Sequence, residues 1–281
     1  MGEYNNQHYQ LDQTIIEKRM ETKYFAKRIQ YYSEVDSTNR IAKELGKVPG
    51  NHGVLVLAEQ QNAGRGRLGR NWNSPSGNGI WMTLVLQPNL HPGHASMLTI
   101  VAALAVNNAI RNITGLDSFI KWPNDIVVNG KKVCGILTEM NTINEKLEYA
   151  IIGIGVNVNQ DNFPEELKDT ATSILLEGKR SIDRIDLIAD IMKHFEFYYD
   201  VFLKTENLIK LKDLYNENLV NLNRQVRILE KDMEYAGIAL GINETGVLLV
   251  KTVETVEDGE ITIIKGVVSG EVSVRGIYGY V

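Results

Sequence analysis

The run Gly64-Arg65-Gly66-Arg67-Leu68-Gly69-Arg70 follows an apolar stretch, Gly53 to Glu59, that reads as a strand. Glycine lets a backbone approach a ligand closely and take positive φ, and arginine offers a planar fork of donors suited to carboxylate or phosphate oxygens. The loop continues through Trp72, Asn73, Ser74, Pro75, Ser76, Gly77, Asn78 and Gly79 before a second strand-like run, Ile80 to Leu86. An arginine-rich turn by itself is often only a solvated loop. A long Gly-rich connection between two strands, however, is usually functional or disordered. Gly64, Gly66 and Gly69 satisfy G-x-G-x-x-G, but a dinucleotide-binding fold needs a helix directly afterwards and an acid about 20 positions on. Asn73-Ser74-Pro75-Ser76-Gly77 forbids the helix, and Leu84 to Leu90 offers no acid. A P-loop would require Lys then Ser or Thr where this chain has Arg70 and Asn71. Both familiar phosphate folds are excluded, and the loop reads as an anion cradle of another architecture.

The rest of the chain fits an ordinary globular protein. Its 281 residues are 43% hydrophobic and 23% charged, enough for one large domain and one small one. A net charge of -5 argues against a general nucleic-acid binder. The single Cys134 allows no internal disulfide, and no apolar secretory leader is visible, so a cytoplasmic protein is expected. Met97 to Ile110 carries no charge but falls short of the roughly 20 residues of a membrane span. It reads as part of a buried helix over about 95–112, with no membrane partner. His91 and His94 have no cluster of acids or cysteines beside them and read as a solvent-facing turn.

In residues 1–28 the apolar positions Ile15, Ile16, Met20 and Phe25 mark a short helix, without room for a complete helix-turn-helix. Ile29 to Val35 reads as a strand, and Asp36-Ser37-Thr38-Asn39 leads into a helical run to Leu45, which by itself suggests an N-cap. Asn129-Gly130 between apolar runs predicts a type I′ hairpin. Strict alternation from that turn puts Lys132, Cys134 and Ile136 on one face and Lys131, Val133 and Gly135 on the other. A lysine on an apolar face is not a mere solubilising charge, whereas Cys134 reads as a small core residue. Gly153-Ile154-Gly155-Val156-Asn157 lies in a strand over 147–159, where glycines permit close approach of a ligand or neighbouring backbone. Helices are predicted over 183–203 and 205–219, each with one buried face. From Asn223 short strands broken by Gly and Asn indicate a small all-β module of five or six strands, ending in a strand over 267–280. The expected organisation is α+β: an N-terminal segment 1–28, a catalytic domain 29–222 and a β domain 223–281.

DSTN at 36–39, Gln61 with GRGRLGR at 64–70 and Trp72, KWPND at 121–125, GKKVCGIL at 130–137, GIGVN at 153–157 and SGEVSVRG at 269–276 together resemble biotin protein ligase (biotin-[acetyl-CoA-carboxylase] ligase). The resemblance runs in order from about residue 29 to the C-terminus. It implies a large mixed-sheet domain of the biotin/lipoate ligase type with a small C-terminal SH3-like barrel. It also implies a two-step reaction in which biotin and Mg-ATP give biotinoyl-5'-AMP and pyrophosphate, and the acyl group passes to a lysine of a biotin carboxyl carrier protein. On that resemblance Ser37, Thr38, Asn39, Gln61, Arg65, Gly66, Arg67, Lys132 and Gly135 hold biotin, with Lys132 and Arg67 catalytic. Arg70, Trp72, Lys121, Asn124, Asp125, Asn157 and Arg275 would lie at the nucleotide. Mg²⁺ would enter with ATP near Asp125, with no firm metal ligand.

The chemistry agrees with this assignment, because joining two anions calls for positive charge at phosphorus, and a mixed anhydride calls for a flap that excludes water. There are departures from the family pattern. The run Ile15 to Ile29 resembles the linker that follows a DNA-binding domain in bifunctional members, so no DNA binding is expected, and Leu68 stands where some relatives carry another basic residue. Pairing into a homodimer through the large sheet follows by analogy. Competing expectations are a lipoate or octanoate ligase, a non-catalytic biotin sensor or repressor, and a generic nucleotide-binding module in which Lys132 is only structural.

Overall fold

The computed structural model describes residues 10–229, 234–256, 259–270, 273–276 and 280–281. Residues 1–9, Glu271 and Val272 of SGEVSVRG, and 277–279 of the last expected strand lie outside the described residues. In chain order the large domain contains α1 (Gln13–Arg19), β1 (Ile29–Val35), α2 (Thr38–Gly46), β2 (Leu55–Gln61), β3 (Gly79–Leu86) and α3 (Met97–Thr114). It continues with β4 (Ser118–Lys121), β5 (Asp125–Val128), β6 (Lys131–Ile143), β7 (Lys146–Asn157), α4 (Ile174–Gly178), α5 (Arg184–Leu203) and α6 (Lys212–Glu217). The small domain contains β8 (Gln225–Leu229), β9 (Glu234–Ile242), β10 (Leu248–Val256), β11 (Gly259–Val267) and β12 (Ser273–Gly276).

The seven strands of the large sheet run in the order β1-β2-β3-β7-β6-β5-β4. The β1–β2 pair is parallel and the others are antiparallel, so the sheet is mixed as expected. The interior strand β3 is buried at every position, which explains its almost wholly apolar sequence. One face of the sheet packs under α3 and α5. The opposite face packs against α2 through Ala42, Val56, Val85, Tyr149 and Ile151. The stretch Pro92–Thr114 is long and apolar enough to cross a membrane, but most of it is buried inside the protein. Gly115 closes α3 at φ 74, donating its N–H to Arg111 O at 2.8 Å. The five strands of the small domain form an antiparallel sheet, β11-β10-β9-β8-β12, consistent with an SH3-like module.

Three local expectations need correction. The Asn129-Gly130 turn has both φ positive, 49° and 77°, as a type I′ turn requires, but alternation does not persist beyond it. Val127 pairs with Lys132 and Ile126 with Cys134, so Val133 is an extra, bulged residue. Lys132 therefore shares its face with Gly135 rather than with Cys134 and Ile136, and a Cβ at Gly135 would lie 3.0 Å from Lys132 Nζ. Ser37 occupies the N-cap position of α2, yet its side chain makes no capping hydrogen bond. The helix expected over 205–219 is reduced to α6. Asn207 Oδ1 accepts from Ile209 N at 3.0 Å and Leu208 N donates to Glu244 O at 2.7 Å, diverting the backbone before a helix can start.

Residues 10–28 are packed into the large domain, with Leu11, Ile16, Met20 and Phe25 buried. The Glu196 carboxylate of α5 accepts the N–H groups of Lys23, Tyr24 and Phe25 at 2.6, 3.0 and 3.1 Å. Glu196→Ala leaves these donors without an acceptor and is expected to lower unfolding free energy by about 2–4 kcal/mol. Urea denaturation followed by tryptophan fluorescence measures this, and an unchanged midpoint would show that the segment is held by its apolar contacts alone.

Candidate active site

On the α2 side of the sheet lies a cavity of about 740 Å³, within the usual range for small-molecule sites. It exists because β6 and β7 carry glycines beneath it. A Cβ at Gly153 would lie 2.2 Å from Asn39 Oδ1, and one at Gly155 would lie 2.4 Å from Trp72 Nε1. The space that side chains would fill is taken by the Asn39 amide and the Trp72 indole.

The arginine-glycine loop folds back on itself above this floor. Trp72 N donates to Gly64 O at 2.9 Å, Gly66 N to Arg70 O at 2.7 Å, and Gln61 N to Ser74 O at 3.1 Å. A Cβ at Gly64 would lie 2.5 Å from Trp72 O, so only glycine permits the closure. Arg67 and Trp72 turn inward, while Arg65, Leu68 and Arg70 are exposed at the rim.

One end of the cavity is polar and uncharged. Gln61 Oε1 accepts from Thr38 N at 2.8 Å and Thr38 Oγ1 at 3.0 Å, and Gln61 Nε2 donates to Ser74 Oγ at 2.9 Å. Behind them Thr83 Oγ1 lies 2.6 Å from Asn39 Oδ1.

The other end is charged. Lys132 Nζ lies 2.6 Å from Asp125 Oδ1, and the Tyr280 hydroxyl donates to Asp125 Oδ2. Lys121 Nζ sits 3.7 Å from the Tyr280 ring centre, and Lys132 Nζ 5.0 Å from that of Trp72. Arg67 donates to Asn124 Oδ1 at 2.8 Å and to Gly270 O at 2.7 Å. Burial alone would raise the pKa of Asp125, but Lys132, Lys121 and the Tyr280 hydroxyl outweigh it and hold the carboxyl below its usual range. Burial, opposed by Asp125, pushes Lys121 down to about 8, and it lowers Arg67 as well.

Arg65, Arg67, Arg70, Lys121, Lys132 and Arg275 line the cavity against the carboxylates of Asp125 and Asp161, although the chain as a whole is acidic. Such a concentration of positive charge selects a polyanion. The Trp72 Nε1 donor is buried and has no hydrogen-bond partner among the described residues. Among the described residues no group of three or more His, Cys, Asp or Glu is placed to hold a metal ion. The arrangement can hold a neutral polar head group at one end and phosphate oxygens at the other, with the flap covering the point where they meet.

Comparison with known proteins agrees with this chemistry. Residues 31–157 match the Biotin/lipoate A/B protein ligase family, and residues 222–275 match the Biotin protein ligase C terminal domain. The bifunctional ligase/repressor BirA of Bacillus spizizenii is 39% identical over 88% of this chain and 76% of its own length. The biotin-[acetyl-CoA-carboxylase] ligase of Paracoccus denitrificans is 32% identical over 78% of this chain and 92% of its own. The chain belongs to the biotin protein ligase family. The fold agrees: the crystal structure of biotin protein ligase from Aquifex aeolicus in complex with biotin and ATP superposes with a TM-score of 0.73 at 31% identity, covering 89% of this chain and 99% of that one.

Ser37, Thr38, Asn39, Gln61, Arg65, Gly66, Arg67, Lys132 and Gly135 line this one cavity, and so do Arg70, Trp72, Lys121, Asn124, Asp125, Asn157 and Arg275. Arg275 arrives on β12, so the small domain reaches the site. The Asn157 amide donates to Thr172 O at 3.1 Å and accepts from Gln160 at 3.3 Å, which ties it to the segment after β7. Sequence reasoning missed Thr83 and Tyr280. Thr83 had a signal, being the lone polar side chain in the β3 run GIWMTLVL; Tyr280 had none, because only the folded chain brings it to Asp125.

A buried amine with a lowered pKa is cationic below that value and neutral above it. ATP binding is therefore expected to weaken as pH rises through about 8, where the free protein loses the Lys121 charge. Calorimetry between about pH 7.5 and 9, above the last phosphate ionisation near 6–7, tests this, and Lys121→Met should remove the step. A wild-type affinity independent of pH would contradict it.

Proposed function

We propose that this cavity activates biotin with MgATP and passes it to a lysine of the biotin carboxyl carrier protein of acetyl-CoA carboxylase or a related carboxylase. The observation that carries the reading is the convergence of Arg67 and Lys132 on Asn124 and Asp125 inside one cavity whose far end is polar and neutral. The cyclic urea of biotin, with two N–H donors and a carbonyl acceptor, suits the end built from Thr38, Asn39 and Gln61. Its carboxylate then lies toward Lys132.

A carboxylate oxygen attacks the α-phosphorus of ATP, and the bond from phosphorus to the pyrophosphate oxygen breaks. Lys132 and Arg67 offset the repulsion between the anions and the charge that develops at phosphorus. Mg²⁺ would enter as part of the substrate MgATP, offsetting phosphate charge, and Asp125 is the carboxylate that would face it. Arg70, Lys121 and Arg275 face the phosphates, and Trp72 covers the mixed anhydride against water. In the second step a neutral lysine amine of the carrier attacks the acyl carbon, AMP leaves with the electrons of the acyl–oxygen bond, and the surplus amine proton passes to water.

A lipoate ligase reading is weaker, because lipoate has no urea to pair with the polar end and would leave buried donors and acceptors unmatched. We place the reaction in the cytoplasm, in keeping with the unpaired, buried Cys134. We also propose a homodimer, by analogy with the family and with β1 available at the edge of the large sheet.

Purified protein with ATP, Mg²⁺ and biotin is expected to exchange labelled pyrophosphate into ATP and to label a carrier domain, and lipoate should not replace biotin. Lys132→Ala is expected to slow exchange roughly 100- to 1,000-fold in protein that stays folded, while the unfolding midpoint falls because Asp125 loses its ion-pair partner. Exchange at the normal rate in that variant would remove Lys132 from the chemistry.

A further inference from the structure

Glu139 of β6 stands behind the cavity and is not part of its lining. One carboxylate oxygen accepts from Asn39 Nδ2 at 2.8 Å and the other from Lys43 Nζ at 2.7 Å. A carboxylate only accepts, so Asn39 turns its NH₂ toward Glu139 and its Oδ1 away. That oxygen meets Thr83 Oγ1 at 2.6 Å and cannot donate, which makes Thr83 the donor. Thr83 has a single proton and has now used it, so toward Thr38 Oγ1, 2.8 Å away, it acts only as an acceptor. The other neighbour of the Thr38 hydroxyl is Gln61 Oε1, also an acceptor and fixed in place by Thr38 N. Whichever neighbour takes it, the Thr38 proton points into the protein and its lone pairs are left for a ligand. Thr38, Asn39 and Thr83 are all buried, so a reversed hydrogen bond among them is costly.

We propose that Glu139 is a positioning residue that sets the direction of this chain of hydrogen bonds, so that the neutral end of the cavity receives ligand N–H donors. The inference rests on the biotin reading and deepens it, since the N–H donors in question are those of a cyclic urea. It separates Glu139 from Lys43, whose partly exposed ion pair with the other carboxylate oxygen contributes little. A glutamine at 139 fills the same space but can present its own NH₂ to Asn39, releasing the Asn39 amide to turn over.

The test is pyrophosphate exchange at saturating MgATP with biotin varied. Glu139→Gln is expected to raise the KM for biotin roughly tenfold or more while kcat and the KM for ATP stay at wild-type values. Lys43→Met, which removes only the outer partner, is expected to leave the biotin KM within about twofold. Thr83→Val cuts the chain at its next link and should reproduce the Glu139→Gln effect, so it decides the matter even where E139Q folds poorly. A wild-type biotin KM in T83V or in folded E139Q overturns the proposal. Equal effects of E139Q and K43M, tracking a lowered unfolding midpoint, would make Glu139 a strut for α2 and also overturn it. Failure of the ligase reading would be visible separately, as a wild-type protein with no biotin-dependent exchange.

Discussion

Placing Lys132 and Asp125 2.6 Å apart within a mostly buried cluster that also holds Lys121 and Arg67 means taking several charges out of water together. Such an arrangement is tolerable only when every member is held by further contacts. Asp125 has both oxygens engaged, by Lys132 and by the Tyr280 hydroxyl, and Arg67 is fixed to Asn124 and Gly270. The cations still outnumber the anions, so the cluster is incomplete without a polyanionic ligand. That excess of oriented positive charge is what the chemistry needs, because it is present before the phosphates arrive and requires little rearrangement when they do.

The fold exists around this cluster in a traceable way. One face of the large sheet is covered by α3 and α5 and the other by α2 and the flap, and the glycines at 135, 153 and 155 open room beneath Trp72 and Asn39. The far end of the flap is fixed by a buried ion pair, Glu59 with Arg184 at 2.8 Å. Glu59 also accepts from Gly77 N at 2.8 Å, and Arg184 donates to Gly79 O at 3.0 Å. The loop is therefore anchored where it re-enters β3 and exposed at its arginine-rich tip. That combination suits a flap that must admit a substrate and then cover it.

Much of this was legible in the sequence because the signals were local. The apolar runs of β2 and β3, the Asn129-Gly130 turn and the buried α3 each follow from periodicity or turn chemistry, and the spaced motifs led to the same cavity. What was not legible depended on tertiary contact. The bulge at Val133, which turns Lys132 toward Gly135, leaves no trace in an alternating pattern. The shortening of α6 comes from a bond between Leu208 and Glu244, distant in sequence. Tyr280 reaches the site from beyond the last strand of the small domain, and Glu139 from farther along β6, outside the cavity lining, positions that no motif marks.

The central claim is that one cavity holds the biotin end and the phosphate end of a single intermediate. Native mass spectrometry of the protein after incubation with biotin and MgATP, without a carrier, tests it directly. The account predicts a noncovalent complex heavier than the free chain by the mass of biotinoyl-5'-AMP. A spectrum holding only free protein, or protein with biotin and ATP bound but never joined, would contradict it.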